Sequence, residues 1–188
     1  MLAADGGGGT GHEIIWQLPS AITLPGNARV TYNDLVWTDL AVKDCFTIAL
    51  SFAYTNSGTY AIGELLSWNG SSTVNGSVNV VGYGSEGWRI RDYTRLSNFN
   101  MSLDVDFYKL VIVSELSGSN RVNTGYLQGE NSGLGIAALQ SVNNTTNAQP
   151  LTFGDPWNRV IGTIHDCTFY DGKFSTAEIE NYLGVSIS

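Results

Sequence analysis

One segment of the chain, residues 83–93, combines aromatic rings with charged and hydrogen-bonding side chains. It begins at Tyr83, ends at Tyr93 and contains Trp88, and its glycines place it at or near a loop. A sugar ring offers an apolar C–H face to an aromatic side chain and hydroxyl groups to amides and carboxylates. The pair Trp157 and Asn158 has the same composition. We therefore predict a glycan-binding site formed by Tyr83, Trp88, Tyr93, Trp157 and Asn158.

The same segment has a second interpretation, in which it belongs to the core. Trp88 and Ile90 alternate with Arg89 and Arg91, and alternation with a period of two is typical of a half-buried strand. In that case the two apolar side chains are buried and the two arginines are solvated. Both interpretations stay open at the level of the sequence.

Side chains that could support catalysis are few. The chain has two histidines and two cysteines, and the cysteines lack the Cys-x-x-Cys spacing of a zinc or redox site. Glu64 stands alone between uncharged neighbours, and Asp104 and Asp106 form a tight acidic pair that contains no glutamate. We therefore predict that the protein is not an enzyme and requires no cofactor.

Composition and charge exclude several classes of partner. Only 14% of the 188 residues are charged, against roughly 25% in a typical soluble domain. The formal net charge is −8, and no basic stripe is present that could neutralise phosphates. Nucleic acid and anionic membrane surfaces are therefore excluded as partners. Membrane insertion is excluded as well, because every apolar run is shorter than a bilayer-spanning segment.

The start of the chain differs in composition from the rest. Residues 6–11 are almost all glycine, and the preceding residues contain neither the basic nor the apolar region of a secretion signal. We predict that residues 1–12 form a flexible tether and that residues 13–188 fold as one domain. The missing signal fits a virion component released by lysis, or a signal that has been removed.

Turn-forming sequences such as Asn69-Gly70 and Asn75-Gly76 recur at short intervals and separate segments of strand length. This spacing favours an antiparallel sandwich over a repeat of strands and helices. In the strand that starts at Cys45, large apolar side chains alternate with small ones, so we expect one core face and one solvated or loosely covered face. Further strands are predicted at residues 61–68 and 108–113, followed by a hairpin arm at 120–130.

The end of the chain changes its hydrophobic period. Residues 160–170 alternate as a strand does, with Cys167 and Phe169 on the inward side. Ser175 then stands three residues before Glu178, which is the spacing of a capping box, and Gly184 is placed to end a short helix. The sequence therefore predicts a β-protein that finishes with one short helix.

These segments resemble the laminin-G-like jelly rolls of the concanavalin A-like lectin and glucanase superfamily. Such domains end in a strand of the type Gly-x-Ile-Asp-Asp-Val-x-Ile-Tyr and a helix built on Ser-x-x-Glu-Ile, to which residues 162–170 and 175–179 are similar. Residues 46–52 and 108–113 are similar to the early core strand and the central hairpin of these domains. The resemblance covers residues 28–184 and implies an all-β, two-sheet antiparallel jelly-roll sandwich with one short C-terminal helix.

The resemblance also bears on metal binding, disulfide formation and catalysis. Many laminin-G-like domains hold a calcium ion at the rim, so calcium is an optional ligand here, with Asp104, Asp106, Asp155 and Asp166 as candidates. The resemblance would also place the strands of Cys45 and Cys167 near one another, as a disulfide between them would require. A buried reduced thiol is nevertheless the preferred interpretation for Cys167. The Glu-x-Asp-x-x-Glu signature of the related retaining glucanases is missing, which disfavours hydrolysis.

Three hypotheses about function follow. The leading one is a non-catalytic display module, such as a phage capsid or tail protein that docks on a protein lattice or a host surface. The alternative is a lectin-like module that binds a surface glycan, with or without calcium, and a glycoside hydrolase is the weakest. The first two place the protein on a virion or an extracellular surface, and exposed sandwich edges leave room for a homo-oligomer.

Overall fold

The computed structural model describes residues 11–55, 62–68, 77–92, 95–141, 147–154 and 160–187. These residues form thirteen strands, two helices and one 3-10 turn at Gly84–Glu86. In chain order the strands are β1 (Ile14–Gln17), β2 (Ile22–Pro25), β3 (Val30–Val36), β4 (Cys45–Tyr54), β5 (Ile62–Trp68), β6 (Asn79–Tyr83), β7 (Trp88–Arg91), β8 (Leu96–Asn98), β9 (Asp106–Ser117), β10 (Asn120–Gly129), β11 (Gly133–Ser141), β12 (Pro150–Phe153) and β13 (Ile161–Asp171). The helices are α1 (Trp37–Ala41) and α2 (Thr176–Leu183).

The strands form two antiparallel sheets that pack face to face. Sheet 1 has the order β1-β13-β4-β9-β10-β11, with β2 also paired to β13. Sheet 2 has the order β3-β12-β5-β6-β7-β8. The predicted fold class, a two-sheet antiparallel sandwich with a short C-terminal helix, is confirmed. A five-residue helix between β3 and β4, α1, was not predicted from the sequence.

The core lies between the two sheets and is rich in aromatic side chains. Sheet 1 contributes Phe52 and Tyr108, and sheet 2 contributes Trp88, all of them at most 1% exposed. The Trp88 ring meets the Phe52 ring edge to face, with 5.1 Å between centroids. Such a contact adds about 1 kcal/mol to the burial of the rings themselves. The sheets are therefore joined by direct aromatic contacts between their inner faces.

A second apolar cluster lies on the outer face of sheet 1, beneath α2. Ile179 and Leu183 of the helix pack with Val111 and Val113 of β9. The Thr47 hydroxyl accepts a hydrogen bond from the Phe174 backbone N–H in the connection to α2, at 3.1 Å. The outer face of β4, which the sequence predicts to be solvated or loosely covered, is thus covered by the C-terminal segment, and Thr47 and Ala49 are fully buried.

The predicted end of the chain is confirmed in detail. Cys167 and Phe169 of β13 are fully buried. The Ser175 hydroxyl accepts a hydrogen bond from the Glu178 backbone N–H at 3.3 Å, and the Glu178 carboxylate accepts one from the Ser175 N–H at 2.7 Å. Gly184 follows the helix with φ = 77°. Local sequence signals therefore suffice to fix this strand, its cap and its helix.

One end of the core contains a buried arginine rather than apolar side chains. Arg121 of β10 is fully buried, and its guanidinium donates to the carbonyl oxygens of Leu40, Ala41 and Lys43 at the end of α1. It also donates to the Ser114 hydroxyl at 3.3 Å. Burial lowers the pKa of Arg121 to about 10, so the side chain is still a cation at neutral pH. The arginine therefore joins α1 to sheet 1.

The first described residues pack against the C-terminal segment. His12 Nδ1 lies 3.0 Å from the Asp171 carbonyl oxygen, and Nε2 lies 3.3 Å from the Glu178 carboxylate. Residues 1–10 of the predicted tether lie outside the described residues, so the tether and the domain boundary at residue 13 stay predictions. Among the described residues, neither helix has the length and apolar composition needed to cross a membrane.

Candidate functional site

The outer face of sheet 2 carries an unusual concentration of polar side chains on five adjoining strands. We call this surface the polar face and define it by residues on β12, β5, β6, β7 and β8: Thr152, Glu64, Ser67, Asn79, Tyr83, Arg89, Arg91 and Asn98. Direct pairing holds Glu64 opposite Val81, Val81 opposite Arg89, and Arg89 opposite Asn98. Residues that pair directly across antiparallel strands share one face, so these strands hold their polar side chains side by side.

The alternation of each strand explains why these side chains point away from the core. Val80, Trp88 and Ile90 are fully buried in the core between the sheets, so their neighbours in sequence must point outward. An irregularity in the pairing lies between Glu64 and Leu66 of β5. It accommodates an extra residue, so that Glu64 lies on the outer face while Leu66 is buried in the core.

Two arginines and two glutamates form ion pairs on the polar face. Arg91 Nη2 lies 3.5 Å from Glu64 Oε1, with the two side chains 31% and 7% exposed. Arg89 forms a second ion pair with Glu86, and its guanidinium lies over the Tyr83 ring at 4.5 Å from the centroid. Arg89 is only 7% exposed as a residue. Two planar guanidinium groups are therefore held on one sheet surface with fixed orientations.

Several buried polar atoms on this surface make no hydrogen bond to the protein. They are Ser67 Oγ, Asn79 Oδ1, Arg89 Nε and Asn98 Oδ1. Leaving a buried polar group without a partner costs about 1–3 kcal/mol, and folded proteins avoid this cost in most places. Such a cluster on a single face is an arrangement that a polar ligand would stabilise.

A glycine turn sets the position of Tyr83 and Arg89. The 3-10 turn at Gly84–Glu86 is followed by Gly87, whose backbone adopts φ = 81° and ψ = −159°. The Tyr83 N–H donates to the Gly87 carbonyl oxygen at 3.0 Å, and the Trp88 N–H donates to the Met101 carbonyl oxygen at 3.2 Å. The turn therefore brings the end of β6 back into β7 with the aromatic ring beside the guanidinium.

The predicted glycan-binding residues have different outcomes. Tyr83 lies on the polar face and is partly exposed. Trp88 is fully buried in the core against Phe52, so its indole has no free face for a sugar and the prediction for it is wrong. Tyr93, Trp157 and Asn158 lie outside the described residues. Of the two interpretations of residues 83–93, the buried strand face is confirmed for Trp88 and Ile90.

The arginines of this segment are the functional candidates that the sequence analysis missed. The buried-strand interpretation of this segment expected Arg89 and Arg91 to be solvated, but Arg89 is buried and Arg91 is ion-paired with Glu64. The available signal was the alternation of Arg89 and Arg91 with apolar residues, which placed both on one face. The alternation does not show which residues lie on the neighbouring strand, because Glu64 is more than twenty positions away in the sequence.

The predicted calcium ligands do not come together in the described structure. Asp104 is exposed and Asp166 is half-buried, while Asp155 lies outside the described residues. Asp106 accepts hydrogen bonds from the backbone N–H groups of Asn131 and Ser132 and from the Ser132 hydroxyl. Its carboxylate therefore anchors the turn between β10 and β11 and is a structural group. Within the described part of the chain, no group of three or more His, Cys, Asp or Glu side chains could hold a metal ion.

Replacing Asp106 with asparagine tests this structural role. Burial raises the pKa of Asp106, but hydrogen bonds from Ser132, Asn131 and Phe107 outweigh it and hold the pKa below its ordinary value of 3.8. A depressed pKa stabilises the fold above pH 3.8, and this contribution is lost as the pH falls through the folded-state value. We expect Asp106→Asn to lower the free energy of unfolding by about 2 kcal/mol at neutral pH.

Urea unfolding of both proteins between neutral pH and the acid range measures this effect. The difference between wild type and Asp106→Asn should shrink as the pH falls below 3.8. Asp104→Asn, at the exposed neighbouring aspartate, is the matched control and should change stability by less than about 0.5 kcal/mol. Equal stability of wild type and Asp106→Asn at neutral pH would contradict the structural role.

The remaining reactive side chains are isolated. Cys45 and Cys167 are free thiols, which confirms the preferred interpretation of Cys167 as a buried reduced thiol. Burial raises the pKa of the Cys167 thiol well above its ordinary value, so it is inert at neutral pH. His165 is exposed, and its ring lies 5.6 Å from the Phe107 ring.

A cavity of about 430 Å³ lies on the opposite side of the molecule, between α2 and sheet 1. Its rim carries Lys173 and Glu115, and Lys173 Nζ lies 3.0 Å from each oxygen of the Glu115 carboxylate. Val113, Phe174 and Ile179 form its apolar floor. Because none of its lining residues has a buried polar atom without a hydrogen-bond partner, this cavity is a weaker candidate than the polar face.

The fold is a two-sheet β-sandwich, and the solved structures of similar fold include sialidases and a sialidase CBM40. It is similar to the CBM40 module of a Ruminococcus gnavus IT-sialidase bound to α2,3 sialyllactose, with a TM-score of 0.61 and 11% sequence identity. That match covers 93% of this chain and 100% of the module. A leech intramolecular trans-sialidase matches with a TM-score of 0.59 and 15% identity over 94% of this chain, and Trypanosoma rangeli sialidase with 0.58 and 13% over 89%.

The chain spans only part of the full-length sialidases, 29% of the leech enzyme and 28% of the Trypanosoma rangeli enzyme. At these identities the similarity establishes the fold and no more. No protein-family model matches the chain, and no curated protein matches its sequence. The comparisons therefore agree with a sandwich of jelly-roll type, while the finer resemblance to laminin-G-like domains stays a prediction.

Proposed function

We propose that the chain is a non-catalytic glycan-binding module and that the sugar binds on the polar face of sheet 2. The observation that carries the proposal is the presence of two fixed arginines beside buried polar atoms that have no protein partner. Sugars are dense in hydroxyl groups that donate and accept hydrogen bonds. A bound glycan would supply the missing hydrogen-bond partners. Tyr83 and Asn98 are partly exposed, so a sugar could reach them from the solvent.

Charge indicates an acidic sugar as the ligand class. Arginine binds a carboxylate through two parallel hydrogen bonds, and such charge-assisted bonds are about twice as strong as neutral ones. Arg91 is 31% exposed at the side chain, so it is the guanidinium that a ligand can reach. The R. gnavus module, which covers the same fold from end to end, is bound to sialyllactose. This similarity supports an acidic glycan for the present chain.

The comparisons favour this function over the leading sequence-based hypothesis. None of the similar structures described above is a virion protein. One of them is the R. gnavus CBM40 module, which matches this chain over its whole length. Docking on a protein lattice therefore has no support from them. A glycan-binding module acts where glycans are displayed, so an extracellular or virion surface is retained as part of the proposal.

Calorimetric titration of the purified chain with α2,3-sialyllactose and with lactose tests the function. We expect the acidic trisaccharide to bind and lactose to bind at least tenfold more weakly, because lactose lacks the carboxylate. Arg91→Gln should lower the affinity for sialyllactose at least tenfold, or about 1.4 kcal/mol. Lys173→Gln, a charge change beside the opposite cavity, is the matched control and should bind as wild type does.

A second variant covers the case in which Arg91→Gln fails to fold, since that change leaves Glu64 without its ion pair. Asn98→Asp keeps both arginines and places a carboxylate opposite Arg89, so it should weaken binding of the acidic sugar by repulsion. Binding should be unchanged by a chelator, because no described acidic cluster could hold calcium. Wild-type protein that is folded and binds no glycan in an array would overturn the proposed function.

A further inference from the structure

The free edge of sheet 1 is formed by an unusually unprotected strand. The edge strand β11 has nine residues, Gly133–Ser141, and within the described part of the chain it pairs on one side only, with β10. None of its residues is charged and none is proline. A long edge strand without charge or proline is a template for pairing with another strand.

The other described edges carry features that block such pairing. At the far side of sheet 1, β1 has four residues and β2 has four residues ending in Pro25. In sheet 2, β8 has only three residues, and β3 carries Asp34 near its centre. Short strands, proline and inward or edge charges are the devices that prevent edge-to-edge association. Among the edges that the structure describes, β11 is the one that lacks them.

One hydrogen bond reveals which backbone groups of β11 point outward. Arg95 Nη1 donates to the Gln140 carbonyl oxygen at 2.9 Å, so the peptide groups of Gln140 face away from β10. In an antiparallel pair, residues alternate between those bonded to the partner strand and those pointing away from it. The N–H and C=O groups of Leu134, Ile136 and Ala138 therefore also face outward.

We propose that β11 pairs antiparallel with β11 of a second copy of this chain, about a two-fold axis at Ile136. Ile136 would then lie opposite its own symmetry mate, and Leu134 opposite Ala138 of the second copy. This register uses the outward groups of all three residues, for about six hydrogen bonds, and leaves the Arg95 contact with Gln140 intact. A strand related to itself by a two-fold axis is self-complementary, as an isologous interface requires.

The two-fold register is the reason for choosing a second copy as the partner, because it places only uncharged side chains opposite each other. With a net charge of −8, two copies repel each other over most approaches, whereas the β11 edge brings uncharged residues together. Ile136 is 46% exposed on the outer face, and pairing covers it with an identical side chain. The interface is a single strand pair and therefore small, so we expect a weak dimer that depends on concentration.

Sedimentation equilibrium from low micromolar to millimolar protein tests the proposal without any glycan. We expect wild type to shift with concentration from its monomer mass of 20.3 kDa towards twice that value. Ile136→Lys would place like charges directly opposite each other and should raise the dimer dissociation constant at least tenfold. Val42→Lys, which adds the same charge at a residue that is 66% exposed, should leave dimerisation unchanged.

A crosslink tests the register itself. Residues in a hydrogen-bonded antiparallel pair have Cα atoms about 5.5 Å apart, which suits a disulfide. Ile136→Cys should therefore form a covalent dimer under mild oxidation, while wild type with its native thiols should not. Wild type that stays monomeric at all concentrations, or a dimer that persists in Ile136→Lys, would overturn the proposal. A monomer whose edge binds a foreign strand would also overturn it, and none of these outcomes bears on glycan binding.

Discussion

Replacing Gly87 with alanine is expected to destabilise the fold by about 4 kcal/mol, a loss large enough to leave little folded protein. The new Cβ would overlap the Met101 carbonyl oxygen, which is a backbone atom and accepts a hydrogen bond from the Trp88 N–H. The backbone at Gly87, with φ = 81° and ψ = −159°, is also a conformation that is essentially restricted to glycine. Chemical denaturation monitored by tryptophan fluorescence measures the loss.

Gly118 offers a matched control for this prediction. It also has a positive φ, 63°, in the turn between β9 and β10, but a Cβ there would meet no atom within 4 Å. Gly118→Ala should therefore cost only the left-handed strain, roughly 1 kcal/mol. If the two variants lose the same stability, the close approach of Met101 to Gly87 does not control the turn that positions Tyr83 and Arg89.

The second large effect is expected for Arg121→Met, which should lower the free energy of unfolding by about 3 kcal/mol. Methionine fills a similar volume but donates no hydrogen bond. The carbonyl oxygens of Leu40, Ala41 and Lys43 would lose their shared donor. The contact of the guanidinium with the Phe46 ring, 5.1 Å from its centroid, would be lost too. Thermal and urea unfolding at neutral pH are the measurements.

Two further variants separate the contribution of the hydrogen bonds from that of the charge. Arg121→Lys keeps the cation but has fewer donors in a different geometry, so its stability should lie between those of wild type and Arg121→Met. Lys173→Met removes a cation from an exposed ion pair, with side chains 55% and 41% exposed, and should change stability by less than about 0.5 kcal/mol. An Arg121→Met protein as stable as wild type would show that the arginine does not join α1 to the sheet.

The local features of the fold could be predicted from the sequence because each depends on neighbouring residues. The alternation in β4 and β13 identified their core faces, including Cys167 and Phe169. The spacing of Ser175 and Glu178 identified the helix cap, and Gly184 identified the end of the helix. A period of two and a capping box are complete within a few positions, so no knowledge of the rest of the chain is needed.

The candidate site could be predicted only in part. Composition singled out residues 83–93, and this segment does contribute Tyr83, Arg89 and Arg91 to the polar face. It ranked the aromatic Trp88 above the arginines, however, because the sequence does not show which face of β7 packs on the opposite sheet. Phe52 and Tyr108 of sheet 1 decide that Trp88 is buried.

The sequence by itself determined the class of fold, the strand faces and the capped helix. Only the tertiary structure decided that Glu64 meets Arg91, that Asp106 anchors a turn, and that β11 is left as an open edge. These facts depend on the pairing of strands that are distant in the chain. The register of such pairs follows from packing over the whole sandwich, whereas periodicity and capping depend on neighbours within a few residues.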